Sequence, residues 1–249
     1  MSGPRLVEVD DGLEICTTST VDARFLYREI FTFNGYGDLP LPPRAFVVDV
    51  GANIGLFLMR VKAARPDAEV LAFEPVPDLV VAARENVRRH RLSMVHLHEM
   101  ALGAEAERGV TFTYYPTMPS SSTRYPEQQV HPGGVLGRDL PERVLERLYR
   151  GRELVLDVAR LSDFLPDGRP VDLLKVDTSG SELDVLRGVA ERHWPLIRSL
   201  VLDVQDRHGR IAAVRDVLQA RGMRVQVRPA PMAAGDGLNY LVHADAPEA

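Results

Sequence analysis

Val47-Val48-Asp49-Val50-Gly51-Ala52-Asn53-Ile54-Gly55 is the stretch that decides the fold. Ala45 to Val50 is a short, mostly apolar run of the kind that forms a strand buried on both faces. Gly51 breaks the run, and Ile54 to Ala64 carries helical patterning. A strand that passes through a glycine-containing turn into a helix gathers backbone N–H groups and the positive end of a helix dipole at one spot. Gly51 and Gly55 put no side chain in the way, so the backbone can approach a ligand closely. In open α/β sheets ligands bind in this crevice, beyond the carboxyl ends of the strands.

Outward from that stretch the alternation repeats. Glu69 to Phe73, Met94 to Met100, Val171 to Val176 and Ser199 to Val204 read as strands. Pro77 to His90, Ser181 to Val189 and Arg210 to Ala220 read as helices. Pro77 and Asp78 suit an opening turn, and Gly222 suits a C-cap. Met223 to Val227 and Leu238 to His243 read as an antiparallel pair at one sheet edge. The pattern predicts an α/β fold: a mostly parallel, seven-stranded sheet with right-handed crossovers and helices on both faces. Gly109 to Tyr114 and Glu153 to Val158 are additional strands, and Leu140 to Tyr149 is a helix.

Upstream, Leu6 to Val9 and Leu13 to Thr18 form a hairpin around Asp10-Asp11-Gly12. A helix follows over Val21 to Phe33, with Leu26, Ile30 and Phe33 at i, i+4 and i+7 and Asp22 near its start. Gly35 to Pro43 is a linker or lid-like loop. The expected division is a hairpin-and-helix extension over 1–43, suited to a lid or to dimerisation, and a ligand-binding domain over 44–249. Within the latter, residues 115–137 are rich in Pro, Ser, Gly and Thr and lack periodicity. So long a loop in a compact domain is usually functional or disordered.

Composition narrows the class. The 249 residues are 45% hydrophobic and 26% charged, with a net charge of −5, as in ordinary soluble domains. Arginines are interleaved with acids, as on solvated helix faces, so no nucleic-acid partner is expected. No apolar run approaches membrane-spanning length. Met1-Ser2-Gly3-Pro4-Arg5 does not open a signal peptide. The expectation is a cytoplasmic protein without a membrane partner. The single cysteine, Cys16, excludes an internal disulfide and a Cys-rich metal site. It reads as a buried structural thiol.

The crevice selects its ligand by what it lacks. A dinucleotide fingerprint reads G-x-G-x-x-G, whereas here the spacing is G-x-x-x-G, with Asn53 in place of the second glycine. Asp49, at the strand end, would repel a pyrophosphate but would accept hydrogen bonds from an ammonium group, directly or through water. S-adenosylmethionine has that ammonium group and no phosphate. In the competing reading Asp49 is a helix-entry cap. Glu74 in Phe73-Glu74-Pro75 ends the next strand, placed to bind ribose hydroxyls.

These residues resemble the FkbM family of S-adenosylmethionine-dependent methyltransferases. Asp49 to Gly55 is similar to the family's first motif and Phe73-Glu74-Pro75 to its second. Met100-Ala101-Leu102-Gly103 is similar to a short motif after the third strand, and Leu161-Ser162-Asp163-Phe164-Leu165 to an "LDDF" segment. Leu174-Lys175-Val176-Asp177-Thr178-Ser179-Gly180-Ser181-Glu182, followed by Leu186-Arg187-Gly188, resembles "KIDVEGAE". The resemblance covers roughly Phe46 to Val227. It implies a Rossmann-like class I methyltransferase core, often used for O-methylation of a natural product or sugar. It also implies cofactor binding by Asp49, Gly51, Ala52, Asn53, Gly55, Glu74, Pro75, Ala101 and Leu102, with Asp177 and Glu182 toward the acceptor. Two positions depart: Ser179 replaces a usual Glu, and Asp203 stands where Glu is common.

Methyl transfer is an in-line displacement from an activated donor, so the protein mainly positions the reactants and excludes water. A hydroxyl acceptor gains from losing its proton. Asp177 ends one central strand, and Asp203 ends the next, with Gln205, Asp206 and His208 just beyond. Two mechanisms follow. In one, His208 or Asp177 is the general base. In the other, Asp177, Asp203 and Asp206 hold Mg²⁺, which lowers the acceptor's pKa. The competing reading makes these acids helix caps. Tyr115, Ser121, Ser122, Arg124 and Tyr125, with Ser120, are the acceptor-side candidates. His96 and His98 share a strand face without a third ligand, and His90, His131, His193 and His243 fall at the surface or at element ends. The partners expected are a small-molecule acceptor, free or carrier-bound, and a second copy in a homo-oligomer. The alternatives are a nicotinamide-dependent oxidoreductase and a noncatalytic cofactor-binding protein.

Overall fold

A computed structural model describes residues 3–10, 12–128, 141–233 and 238–247. Asp11 of the expected hairpin turn, the 129–137 end of the expected loop, His131 and Leu140 lie outside the described residues.

The main sheet is built as the alternation predicts. Its strands are β3 (Phe46–Val50), β4 (Glu69–Phe73), β5 (Val95–His98), β9 (Leu173–Val176), β10 (Ser199–Gln205), β11 (Arg224–Pro229) and β12 (Asn239–Asp245). They lie in the order β11-β12-β10-β9-β3-β4-β5. All pairings among β10, β9, β3, β4 and β5 are parallel. β12 runs antiparallel to both β10 and β11. The last two strands therefore form the expected antiparallel pair, with β12 inserted one place in from the edge. The strand order reverses between β3 and β9, which opens the crevice at that point.

Both faces are covered. α2 (Leu56–Ala64) and α3 (Pro77–Arg89) pack on one side through Phe57, Leu58, Leu79 and Ala82, which share a core with Val47. α5 (Glu182–Arg187) and α6 (Arg210–Gln219) pack on the other, where Val185, Leu186, Val214 and Leu218 meet Val48 and Val50. Alternate residues of β3 thus feed two cores, which is why the strand reads as continuously apolar. Burial of each such side chain is worth about 1.5–3 kcal/mol. α6 ends in paired bonds from Gly222 N to Gln219 O (2.9 Å) and from Met223 N to Leu218 O (3.2 Å). Gly222 takes φ +77° there, so the expected glycine stop is a Schellman cap.

Residues 3–10 and 12–43 are packed against this core. β1 (Arg5–Asp10) and β2 (Leu13–Thr17) form the hairpin. Asn86, buried on α3, pins it: its amide receives the Cys16 N–H at 2.6 Å and donates to Cys16 O and Ile54 O at 2.9 and 2.8 Å. Cys16 is a buried free thiol. The expected helix is α1 (Thr20–Tyr27), capped by Ser19, and it widens into a π-helical turn over Arg28–Thr32. Such π turns often accompany functional sites. β6 (Ala101–Leu102), β7 (Glu107–Tyr114) and β8 (Arg152–Ala159) make a separate sheet, and α4 (Glu142–Leu148) precedes β8. His193, expected at the surface or an element end, does precede a short turn but is buried, with its ring 2.8 Å from Ser162 Oγ. Among the described residues no helix is long and apolar enough to cross a membrane.

Candidate active site

A cleft holding about 830 Å³ of empty space opens beyond the carboxyl ends of β3, β4, β5 and β9. Its floor is the Gly51–Ile54 turn, Glu74 to Val76, Met100 to Leu102, and Asp177 to Ser179. Leu26, Ile30 and Tyr36 come from the N-terminal elements, and Pro119, Ser120 and Ser122 from the loop after β7.

The turn is fixed at both ends. Gly51 N and Ala52 N both donate to Phe73 O, at 3.0 and 2.9 Å. Gly51 has φ +83°, and a Cβ on it would stand 1.8 Å from Asp177 O. Glycine is thus required by conformation and by contact. Asn53 also takes positive φ (+50°), and its Oδ1 accepts from Ile54 N at 2.7 Å. Asparagine tolerates that region better than most residues, which accounts for Asn53 where a dinucleotide motif has glycine.

Glu74 lies in the cleft wall, 5% exposed. One carboxylate oxygen accepts from Asn53 N and the other from Val76 N, each at 2.9 Å. Burial pushes its carboxyl up to about 7 against those two hydrogen bonds. Each oxygen keeps a second acceptor position, so Glu74 fits a vicinal diol. Apolar Phe73, Pro75, Ala101 and Leu102 in the same wall fit a flat base. The donor set therefore fits an adenosine cofactor.

Asp49 departs from its expected place. It is fully buried, is not among the residues lining the cleft, and is directly registered with Lys175 on β9. Lys175 Nζ lies 3.0 Å from Asp49 Oδ1 and donates to Gly51 O at 2.7 Å. The cation that Asp49 meets is thus the protein's own. Burial opposes the ammonium charge, but Asp49, Asp177 and Glu74 together hold Lys175 above the ordinary lysine range. Gly55 likewise stands behind the cleft, as the N-cap of α2 with φ +85°.

Asp177 reaches the cleft, and its partner comes from the expected linker. Tyr36 Oη donates to Asp177 Oδ2 at 2.5 Å. The ring stands edge-on to Phe57 at 5.2 Å. Burial, followed by the charges of Asp177, Glu29 and Asp203, drives the Tyr36 phenol well above its usual range. Arg60 on α2 sets the turn that carries Tyr36, donating to Ile30 O at 2.9 Å and Gly37 O at 2.6 Å and contacting Asn34.

The loop after β7 is clamped to α1. Asp22 accepts from Ser120 N at 3.1 Å and from Ser120 Oγ at 2.5 Å. Burial outweighs these bonds and raises its carboxyl to about 6. Ser179 Oγ donates to Ser120 O at 2.6 Å, and Thr123 Oγ1 donates to Ser179 O at 2.7 Å. Ser179, the unusual residue of its motif, thus ties two cleft loops together. Glu29, half-buried on the π turn, is pushed up to about 8 by burial and by Asp177 and Asp22.

Of the acceptor-side candidates, Ser122 lines the cleft; Tyr115, Ser121, Arg124 and Tyr125 do not. Tyr115 packs edge-on to Tyr149 at 5.7 Å. Arg124 pairs with Glu107 at 2.7 Å, and Tyr125 Oη donates to Asp184 at 2.6 Å. His208 is exposed in the turn before α6, at φ +52°, and is not brought to the cleft. Glu182 is a loop brace, accepting from Gly180 N at 2.8 Å and Thr178 N at 3.2 Å. Asp206 accepts from Ile211 N at 3.1 Å, so it caps α6, as in the competing reading. Asp203 is part-buried on β10 outside the lining, and its carboxyl is raised well above the usual range by burial and by Asp177, Glu29 and Glu182. Among the described residues no three His, Cys, Asp or Glu side chains are grouped to hold a metal ion. The Asp177–Asp203–Asp206 set does not fit Mg²⁺.

Comparison with known proteins agrees with this geometry. The methyltransferase FkbM domain model matches residues 49–225. Methyltransferase sdnD of Sordaria araneosa is 37% identical over 235 residues, covering 89% of this chain and 90% of that one. Methyltransferase 1 of Beauveria bassiana (strain ARSEF 2860) is 35% identical over 225 residues, covering 89% of each. The 31-O-demethyl-FK506 methyltransferase FkbM of Streptomyces tacrolimicus is 33% identical over 249 residues, covering 94% and 95%. Among solved structures, methyltransferase FkbM from Methylobacillus flagellatus KT superimposes with a TM-score of 0.58 at 16% identity. That match covers 87% of this chain and 47% of the other, and it shows a shared fold.

Proposed function

This chain belongs to the methyltransferase FkbM domain family, and from that premise we propose that it transfers a methyl group from S-adenosylmethionine to a hydroxyl of a small-molecule natural product. The observation that carries the cofactor assignment is Glu74, a buried carboxylate in the cleft wall, tied to the Gly51–Asn53 turn, with acceptor positions left for a diol. The names of relatives support the acceptor class: one is named for 31-O-demethyl-FK506.

When bound, S-adenosylmethionine supplies an electrophilic methyl group on a positively charged sulfur. The chain does the rest by positioning. Glu74 holds the ribose hydroxyls, Pro75, Ala101 and Leu102 flank the base, and Gly51, Ala52 and Asn53 shape the amino-acid end. Leu26 and Ile30 exclude water. Ser122, whose Oγ accepts from Tyr115 N and keeps its own proton to donate, offers a polar contact to the acceptor. Asp177 takes the acceptor's hydroxyl proton as general base. The N-terminal extension serves as a lid, through Leu26, Ile30 and Tyr36 on the cleft.

Calorimetry with S-adenosylmethionine, S-adenosylhomocysteine and NAD tests the cofactor. The two sulfur nucleosides should bind and NAD should not. Label transfer from methyl-tritiated donor to a panel of hydroxylated macrolides, sugars and carrier-bound thioesters tests the acceptor. Binding of NAD alone would overturn the cofactor reading. Transfer only to amines or carbon would overturn O-methylation.

A further inference from the structure

The Asn34–Gly37 turn serves the site although it precedes residue 49, where the family match begins. It projects Tyr36 into the cleft, 3% exposed. Three constraints fix the phenol. Arg60 holds the backbone on both sides of it, through Ile30 O and Gly37 O. The Phe57 ring meets it edge-on at 78°. Lys175 Nζ lies 5.5 Å from its ring centroid. Its hydroxyl then points at one atom, Asp177 Oδ2. The second Asp177 oxygen, Oδ1, accepts no hydrogen bond among the described residues, and Asp177 lines the cleft.

We propose that Tyr36 is a positioning residue for methyl transfer: by occupying Asp177 Oδ2 it fixes the carboxylate so that Oδ1 receives the proton of the acceptor hydroxyl. This rests on the function proposed above. The acceptor O–H bond breaks with its electron pair left on the acceptor oxygen, and a new O–H bond forms at Asp177 Oδ1. Tyr36 keeps its own proton throughout. Ionising it would place a phenolate beside Asp177, Glu29 and Asp203, with Lys175 the cation of this cluster. Lys175 Nζ is 3.9 Å from Asp177 Oδ2, so its contact is with the oxygen that Tyr36 occupies and not with Oδ1. A charge-assisted O–H···O⁻ bond is short and directional, which suits an orienting role.

The test compares Tyr36→Phe, Asp177→Asn and the double variant with the wild type. Thermal melting and calorimetric S-adenosylhomocysteine binding first establish that Tyr36→Phe is folded, with cofactor affinity within about threefold of wild type. With the acceptor identified by label transfer, kcat should fall about 10²-fold in Tyr36→Phe, with KM for the donor little changed. The double variant should be no slower than Asp177→Asn, because Tyr36 acts through Asp177. Full activity of Tyr36→Phe, or additive losses in the double variant, would overturn the proposal. A second readout needs neither cofactor nor acceptor. Spectrophotometric titration of phenolate absorbance, with the Tyr36→Phe titration subtracted, isolates Tyr36. Its ionisation should move toward lower pH in Asp177→Asn. An unmoved titration would overturn the Tyr36–Asp177 link even if cofactor binding succeeds, whereas absent cofactor binding with a moved titration would sink only the methyltransferase reading.

Discussion

Gly51 lies so close to Asp177 that a Cβ on the glycine would stand 1.8 Å from the aspartate's carbonyl oxygen. The end of β3 and the end of β9 are therefore in direct backbone contact, so the Gly51 turn and Asp177 are held against each other. Gly51→Ala should break it. The left-handed backbone alone costs an alanine about 1–2 kcal/mol, and the collision forces the turn away from β9. S-adenosylhomocysteine binding should be lost, with a lowered midpoint in urea. Wild-type affinity measured by calorimetry would show that the turn does not shape the pocket.

Glu74→Ala should raise the dissociation constant for S-adenosylhomocysteine about 10- to 100-fold. Hydrogen bonds to a charged group are worth about 1.5–3 kcal/mol, and the change also leaves Asn53 N and Val76 N without their acceptor. An unchanged constant would remove the ribose assignment.

Lys175→Met should cost about 3–5 kcal/mol of stability, because it leaves Asp49 charged and fully buried without its partner. Asp49→Asn in the same chain should restore a large part of that loss. Equal urea midpoints for wild type and Lys175→Met would show that the pair contributes nothing.

Three carboxyls give the ligand-free protein a pH dependence of definite sign. Asp22, Glu74 and Glu29 are raised from 3.8, 4.5 and 4.5 to about 6, 7 and 8, by burial in each case. A raised carboxyl holds its proton more tightly folded than unfolded. Its contribution is therefore complete below the unfolded value and is lost as pH rises through the folded one. Melting temperature should fall by several degrees between about pH 5 and pH 8, and Glu29→Gln should flatten the upper part of that slope. A melting temperature that climbs across this range would contradict the burial of these groups.

The sheet and half of the cleft were legible because their signals are local. β3, its glycine turn and Glu74 all fall between residues 46 and 74, and apolar runs separated by helical periods specify a parallel sheet with little ambiguity. What distance in sequence joins was not legible. Asp49 reads as a ligand-facing acid until the β3–β9 register places it opposite Lys175. Tyr36 sits in a Gly/Pro-rich segment that reads as a linker, and only Arg60, 24 positions later by numbering, turns that segment into part of the site. Asp22 reads as a helix-start acid, although its carboxylate spans 98 positions to reach Ser120. The aromatic and serine content of residues 115–137 marks a loop whose described part, 115–128, borders the cleft through Pro119, Ser120 and Ser122. It did not separate Ser120 and Ser122, which line the cleft, from Tyr115 and Arg124, whose side chains are spent on Tyr149 and Glu107.

A crystal structure with S-adenosylhomocysteine tests the central claim most directly. The ribose hydroxyls should lie within about 3 Å of the Glu74 carboxylate, and the sulfur should face Asp177 and Tyr36. A nucleoside bound elsewhere, or bound in the cleft with Glu74 untouched, would contradict the account.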